Sequence, residues 1–165
     1  MSVWRLLIGG IAVCCALIAG CASHTPGATE AAADAFLPAV YKKTMCFGPC
    51  PAFTFTLQSD GGATLEVIRP LRTPPLDALE PGMYVAQASD PSTWNARLST
   101  AAMDVHYNEL DSVYDNPRVT DLPATITEWD GKSVTNRYNG PDLSTLYAAF
   151  DEAMAALNWQ PVETK

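Results

Sequence analysis

Ala52-Phe53-Thr54-Phe55-Thr56-Leu57-Gln58, followed by Asp60-Gly61-Gly62 and then Ala63-Thr64-Leu65-Glu66-Val67, alternates apolar and polar side chains on both sides of a glycine-rich break. A period of two belongs to a strand with one buried face, and Asp-Gly between two such runs marks a hairpin. If Asp60-Gly61-Gly62 is a three-residue loop with Gly62 in the left-handed position, Phe55 falls opposite Val67 and Leu57 opposite Leu65. The apolar face then pairs with itself. A second hairpin is read around Trp129-Asp130-Gly131. The same loop type sets Ile126 against Val134 and Glu128 against Lys132, whereas a two-residue Asp130-Gly131 turn sets Ile126 against Thr135. Matching residue types favour the three-residue loop in both.

Each hairpin is followed by a helical pattern. Asp90 can cap and Pro91 suits the first helical position, after which Trp94, Leu98, Ala101, Ala102 and Val105 share one face. A second helix begins near Pro141 or Asp142, with Leu143, Leu146, Tyr147, Phe150, Met154 and Leu157 on its apolar side. Between the first hairpin and first helix, Pro70, Pro74 and Pro75 predict a surface excursion over Arg69 to Glu80. Gly82 to Ala88 offers another strand through Met83 and Val85. The fold class predicted is α+β, an antiparallel sheet built from two β-hairpins plus an extra strand and covered by two helices.

The N-terminal end gives an address. Met1 to Arg5 carry a positive charge, and Leu6 to Ala19 are apolar or small, a run short for a bilayer span and right for a secretory signal core. It ends in Leu17-Ile18-Ala19-Gly20-Cys21, which resembles the lipobox of bacterial lipoproteins. The resemblance implies that residues 1–20 are a signal peptide, that the mature chain starts at Cys21, and that Cys21 is acylated and holds the chain to a lipid bilayer. More than one acyl chain is needed for durable attachment. Ala22 and Ser23 follow in place of the Asp that retains such proteins at the inner membrane, which points to the outer membrane, facing the periplasm. Secretion without lipid and an uncleaved anchor are the competing readings. Residues 21–35, rich in Ala, Thr, Ser and Gly, read as a flexible tether. A single domain is expected over residues 36–160, and residues 161–165 form a tail.

Cys14 and Cys15 leave with the signal peptide, and Cys46 and Cys50 remain for the folded part. In Met45-Cys46-Phe47-Gly48-Pro49-Cys50-Pro51 a tight loop brings the two cysteines within reach, and in an oxidising compartment a structural disulfide is expected. The rival reading rests on resemblance: CxxxCP with a remote histidine is similar to the copper motif of Sco-type copper chaperones, which implies Cys46, Cys50 and His106 as copper ligands or a thiol-redox role. Those proteins continue the motif into a helix, whereas Pro51 here leads into a strand. CxGxCP with a following aromatic and Asp-Gly, then Thr-Asp-x-Pro, also resembles an uncharacterised domain family of bacterial envelope proteins. The residues concerned are Cys46, Gly48, Cys50, Pro51, Phe53, Asp60, Gly61, Thr120, Asp121 and Pro123. The resemblance implies a domain type and carries no catalytic residues.

From Cys21 onward the chain has 9 Lys/Arg against 18 Asp/Glu. That balance repels phosphate backbones, so nucleic acid is not an expected partner. Neither GxSxG, HExxH nor GxxxxGK[ST] is present. Glu109, Asp111, Asp115 and Asp121 form an acidic stretch, read as a solvated loop with turn chemistry rather than a calcium site. The expectation is a membrane-anchored, non-enzymatic domain without cofactor that binds or scaffolds an envelope component.

Overall fold

The computed structural model describes residues 38–163. The expected signal peptide, the acylated Cys21 and the tether over residues 21–35 lie outside the described residues, as do the last two residues of the tail. In chain order the elements are β1 (Ala39–Lys43), β2 (Ala52–Leu57), β3 (Gly62–Arg69), β4 (Gly82–Gln87), α1 (Pro91–Asp104), β5 (Val113–Tyr114), β6 (Thr125–Trp129), β7 (Lys132–Asn136), α2 (Ser144–Ala156) and β8 (Gln160–Pro161). The strands form one sheet in the order β5-β7-β6-β1-β2-β3-β4-β8. Every neighbouring pair is antiparallel except β5 with β7.

The α+β class is as expected, with both helices on one face of the sheet, but the sheet is wider. The unexpected β1 is its centre. It joins the two hairpins, pairing Tyr41 with Phe55 of β2 and with Thr127 of β6. Tyr41 is fully buried, its ring stacked at 5.0 Å and 17° on Phe150 of α2 and edge-on to Phe53 at 5.3 Å. Such pairs add about 0.5–1.5 kcal/mol beyond area burial. Phe55, Leu57, Leu65 and Val134 from the sheet meet Leu98, Leu143, Leu146 and Met154 from the helical side in the same core. No helix among the described residues is long and apolar enough to cross a membrane.

Both hairpin registers differ from the expected ones. In the first, Phe53 lies opposite Val67, Phe55 opposite Leu65 and Leu57 opposite Ala63. The loop still has three residues, but it is Ser59-Asp60-Gly61: Gln58 N donates to Gly62 O, and Gly61, not Gly62, is left-handed with φ of 83°. The Asp60 carboxylate accepts from Gly62 N at 2.8 Å, which fixes Gly62 as the first strand residue. The slip preserves parity, so the same side chains still face the core. In the second hairpin Ile126 pairs with Thr135 and Trp129 with Lys132 across a two-residue Asp130-Gly131 turn. Both turn residues have positive φ, 49° and 72°, the twist that suits a tight hairpin. Trp129 thereby becomes a strand residue only 3% exposed, and burial of so large a ring outweighs the match of polar partners.

Helix α1 starts as expected, with Asp90 accepting from Thr93 N and Leu98, Ala101 and Ala102 buried, joined by Asn95. In α2 the buried set is Leu146, Phe150, Ala153 and Met154, and the Asp142 carboxylate accepts from Ser144 N. Strand β4 forms where expected, but Met83 and Val85 point away from the core. Tyr84 and Ala86 pack inward, because they lie opposite the buried Leu65 and Ala63. The proline-rich excursion is on the surface, anchored by buried Leu71 and Leu76.

Register also fixes which features share an end of the molecule. Lys43 pairs with Thr125, Val40 with Glu128 and Ala39 with Leu57. Both hairpin turns therefore lie off the Ala39 end of β1, and the Cys46 to Cys50 loop lies off its Lys43 end.

Candidate functional site

Beyond Lys43 the chain is pinned at once. Thr44 N donates to Ala124 O at 2.9 Å, and Ala124 N donates to the Thr44 hydroxyl at 2.8 Å. Two residues on, Cys46 and Cys50 form a disulfide with their Cα atoms 5.9 Å apart. Phe47 N donates to Asp121 O at 3.3 Å, tying the loop to the Thr120-Asp121-Leu122-Pro123 turn. Arg69, at the end of β3 and opposite Ala52, donates from one guanidinium nitrogen to Cys46 O and Gly48 O at 3.3 and 2.5 Å. A disulfide around so short a ring stabilises by about 2 kcal/mol on the chain-entropy argument. Its geometric effect is larger than its energetic one.

Held at its base, by Arg69 and by Asp121, the loop has nowhere to fold the intervening side chain. Phe47 is 95% exposed, Met45 57% and Leu122 beside them 40%. Full burial of a Phe side chain stabilises by about 1.5–3 kcal/mol, so a clamped loop that keeps one in water forgoes a gain the core takes elsewhere. Beside this tip, Gly48, Pro49, Cys50, Arg69, Pro70 and Arg72 line a cleft of about 520 Å³. Arg69 is turned to the loop carbonyls, and Arg72 is exposed.

The three residues named by the copper resemblance are not brought together. Cys46 and Cys50 are bonded to each other, and His106 follows α1 on the far side of the sheet's length, in a left-handed conformation with φ of 51°. Its side chain is 75% exposed, its Nδ1 3.9 Å from Glu109. There it lines a cavity of about 450 Å³ with Met103, Tyr107 and Trp129. Among the described residues no group of three or more His, Cys, Asp or Glu is placed to share a metal ion. In the acidic stretch Asp115 makes a two-pronged ion pair with Arg137 at 2.6 and 2.5 Å, which holds its carboxyl below the usual range, while Asp111 and Asp121 are exposed.

Two buried hydroxyls have other roles. Tyr107 donates to Thr127 O at 2.7 Å, and burial pushes its phenol up to about 12. Tyr41 Oη is buried without a hydrogen-bond partner, and burial, then Asp151 and Tyr147, drives its phenol far above the ordinary value. Burial also raises the Asp151 carboxyl, with Lys43 opposing. Tyr41 is wholly closed to solvent, so its phenol supports the core and is out of reach of a ligand.

The cysteine pair was legible in the sequence. The Arg69 clamp and the exposure of Phe47 were not. Only the correct register puts Arg69 opposite Ala52, two residues from Cys50.

The chain belongs to the family described as a domain of unknown function, DUF6438, whose model matches residues 39–154. The match runs from the first residue of β1 to Met154 near the end of α2, leaving β8 outside. No curated protein and no solved structure matches the chain.

Proposed function

We propose that this protein is a lipid-anchored domain of the bacterial cell envelope that works by binding rather than catalysis, with the clamped disulfide loop as its contact surface. The observation that carries the reading is Phe47, 95% exposed on a loop held by a disulfide, by Arg69 and by Asp121. A side chain presented on a prebuilt loop loses little conformational freedom on contact, which is how preorganisation favours affinity. The lipobox-like ending at Cys21 supports durable attachment to the outer membrane, facing the periplasm. In this reading the disulfide is structural and the thiols take no part in redox or copper chemistry.

The test compares the full chain with two variants in intact cells. Wild type is expected in the membrane fraction with acyl label, Cys21→Ser in the soluble fraction without it. Phe47→Ser is expected to stay anchored and folded but to lose the adducts, whether to lipid or to protein, that a photo-reactive residue placed at Met45 gives beside the wild-type Phe47. An adduct pattern unchanged by Phe47→Ser would overturn the loop as contact surface.

A further inference from the structure

We infer that the disulfide loop docks on the lipid bilayer itself, dipping Phe47 and Met45 into the interface so that the domain stands on the membrane with its Lys43 end down. This rests on the anchor at Cys21 proposed above and names the occupant of that contact surface.

Three observations select a bilayer over a protein partner. The first is size: Phe47, Met45 and Leu122 together offer on the order of a few hundred Å², against about 600 Å² or more on each partner of a stable protein interface. Such a patch is too small to hold a free partner. It is enough for a surface to which the chain is already tied, because an anchored chain meets that surface at a raised effective concentration.

The second is length. Chain direction puts Pro38 and the loop at opposite ends of β1, about 20 Å apart at the usual strand rise. With Phe47 at the lipid surface, Pro38 stands at that height. Sixteen residues lie between Cys21 and Pro38, a length of chain that reaches well beyond that height when extended, so the anchor permits the loop to touch the surface.

The third is charge. Between residues 38 and 163 there are eight Lys/Arg against sixteen Asp/Glu, a balance that an anionic surface repels. The loop end departs from it: six Lys/Arg, Lys43 and the Arg137 paired with Asp115 included, stand there against seven carboxylates, Glu66, Asp142 and Glu163 among them, close to neutrality. At the hairpin end Asp60, Asp90, Glu109, Glu128 and Asp130 outnumber Lys132 and concentrate the negative charge. The acidic end then faces away from the membrane, and the near-neutral, apolar-tipped end faces it.

The test replaces Phe47, or Ser59 in the first hairpin turn, with p-benzoylphenylalanine in the full chain, irradiates intact cells, and separates lipid adducts from protein adducts. The Ser59 position carries the same anchor, so it measures labelling by mere tethering. Lipid adduct is expected at position 47 in at least about tenfold excess over position 59, the ratio that burying one aromatic side chain implies. Equal lipid labelling at the two positions, or adducts at position 47 with protein alone, would overturn the inference while leaving the anchor standing. If the full chain is absent from the membrane fraction, the anchor reading fails, and the docking falls with it.

Discussion

Tyr107 shows how one side chain locks a hairpin to the layer above it. It is 1% exposed, and its hydroxyl reaches Thr127 O and Thr127 Oγ1 at 2.7 and 3.0 Å. Tyr107→Phe leaves the buried Thr127 O without this donor and the Thr127 hydroxyl without its partner, and is expected to cost about 1–2 kcal/mol, read as a lower urea midpoint with an unchanged slope. The same residue gives an alkaline signature. Its phenol titrates at about 12 when folded, against 10.0 as the ordinary value, so the folded state holds its proton more tightly. That stability is present in full below pH 10 and declines as pH rises from 10 through 12. Denaturation midpoints measured across that window should fall for wild type and fall less steeply for Tyr107→Phe. Neither Tyr107 nor Thr127 was legible as a pair. The sequence pattern put Ile126 inward, and only the two-residue turn turns Thr127 to the core.

At the scale of elements, two glycines in turns predict unequal effects. Gly131, with φ of 72°, has open space where a Cβ would sit, so Gly131→Ala meets only backbone strain, about 1–2 kcal/mol. A Cβ on Gly61, with φ of 83°, would lie 2.8 Å from Gln87 Nε2 and 2.9 Å from Ala88 O. Gly61→Ala should therefore destabilise more than Gly131→Ala in parallel thermal melts. A reversed order would mean that the first hairpin turn is not seated on the end of β4. Removing the disulfide with Cys46→Ser and Cys50→Ser together should cost about 2 kcal/mol and leave the circular dichroism of the core intact, since no residue from Met45 to Cys50 belongs to the buried core. The helices were the most legible elements because cap and periodicity agree. Hairpin registers were less so: the position of a turn glycine decides the pairing, and two adjacent glycines at 61 and 62 left that choice to the Asp60 carboxylate.

For the whole molecule, the feature hardest to read was the centre of the sheet. Strand β1 has five residues, two of them lysines, next to a segment whose composition reads as tether, and of its partners β2 follows it directly but β6 is far along the chain. Alternation identified pairs of neighbouring strands, but nothing local says that a short segment will join two hairpins into one sheet. Once it does, the loop and the hairpin turns are sent to opposite ends, and the exposed tip acquires a direction. Stability and contact then separate. Phe47→Ser should leave the unfolding free energy from urea titration unchanged to within about 0.5 kcal/mol, as for other surface sites, while removing the contact made by the loop. Intact mass of the full chain recovered from the cell envelope, before and after reduction and thiol alkylation, reads anchor and clamp together. The expected species begins at an acylated Cys21 and takes up two alkyl groups, on Cys46 and Cys50, only after reduction. A chain without acyl groups, or one alkylated at both cysteines before reduction, would contradict a lipid-anchored domain built around a disulfide-clamped contact loop.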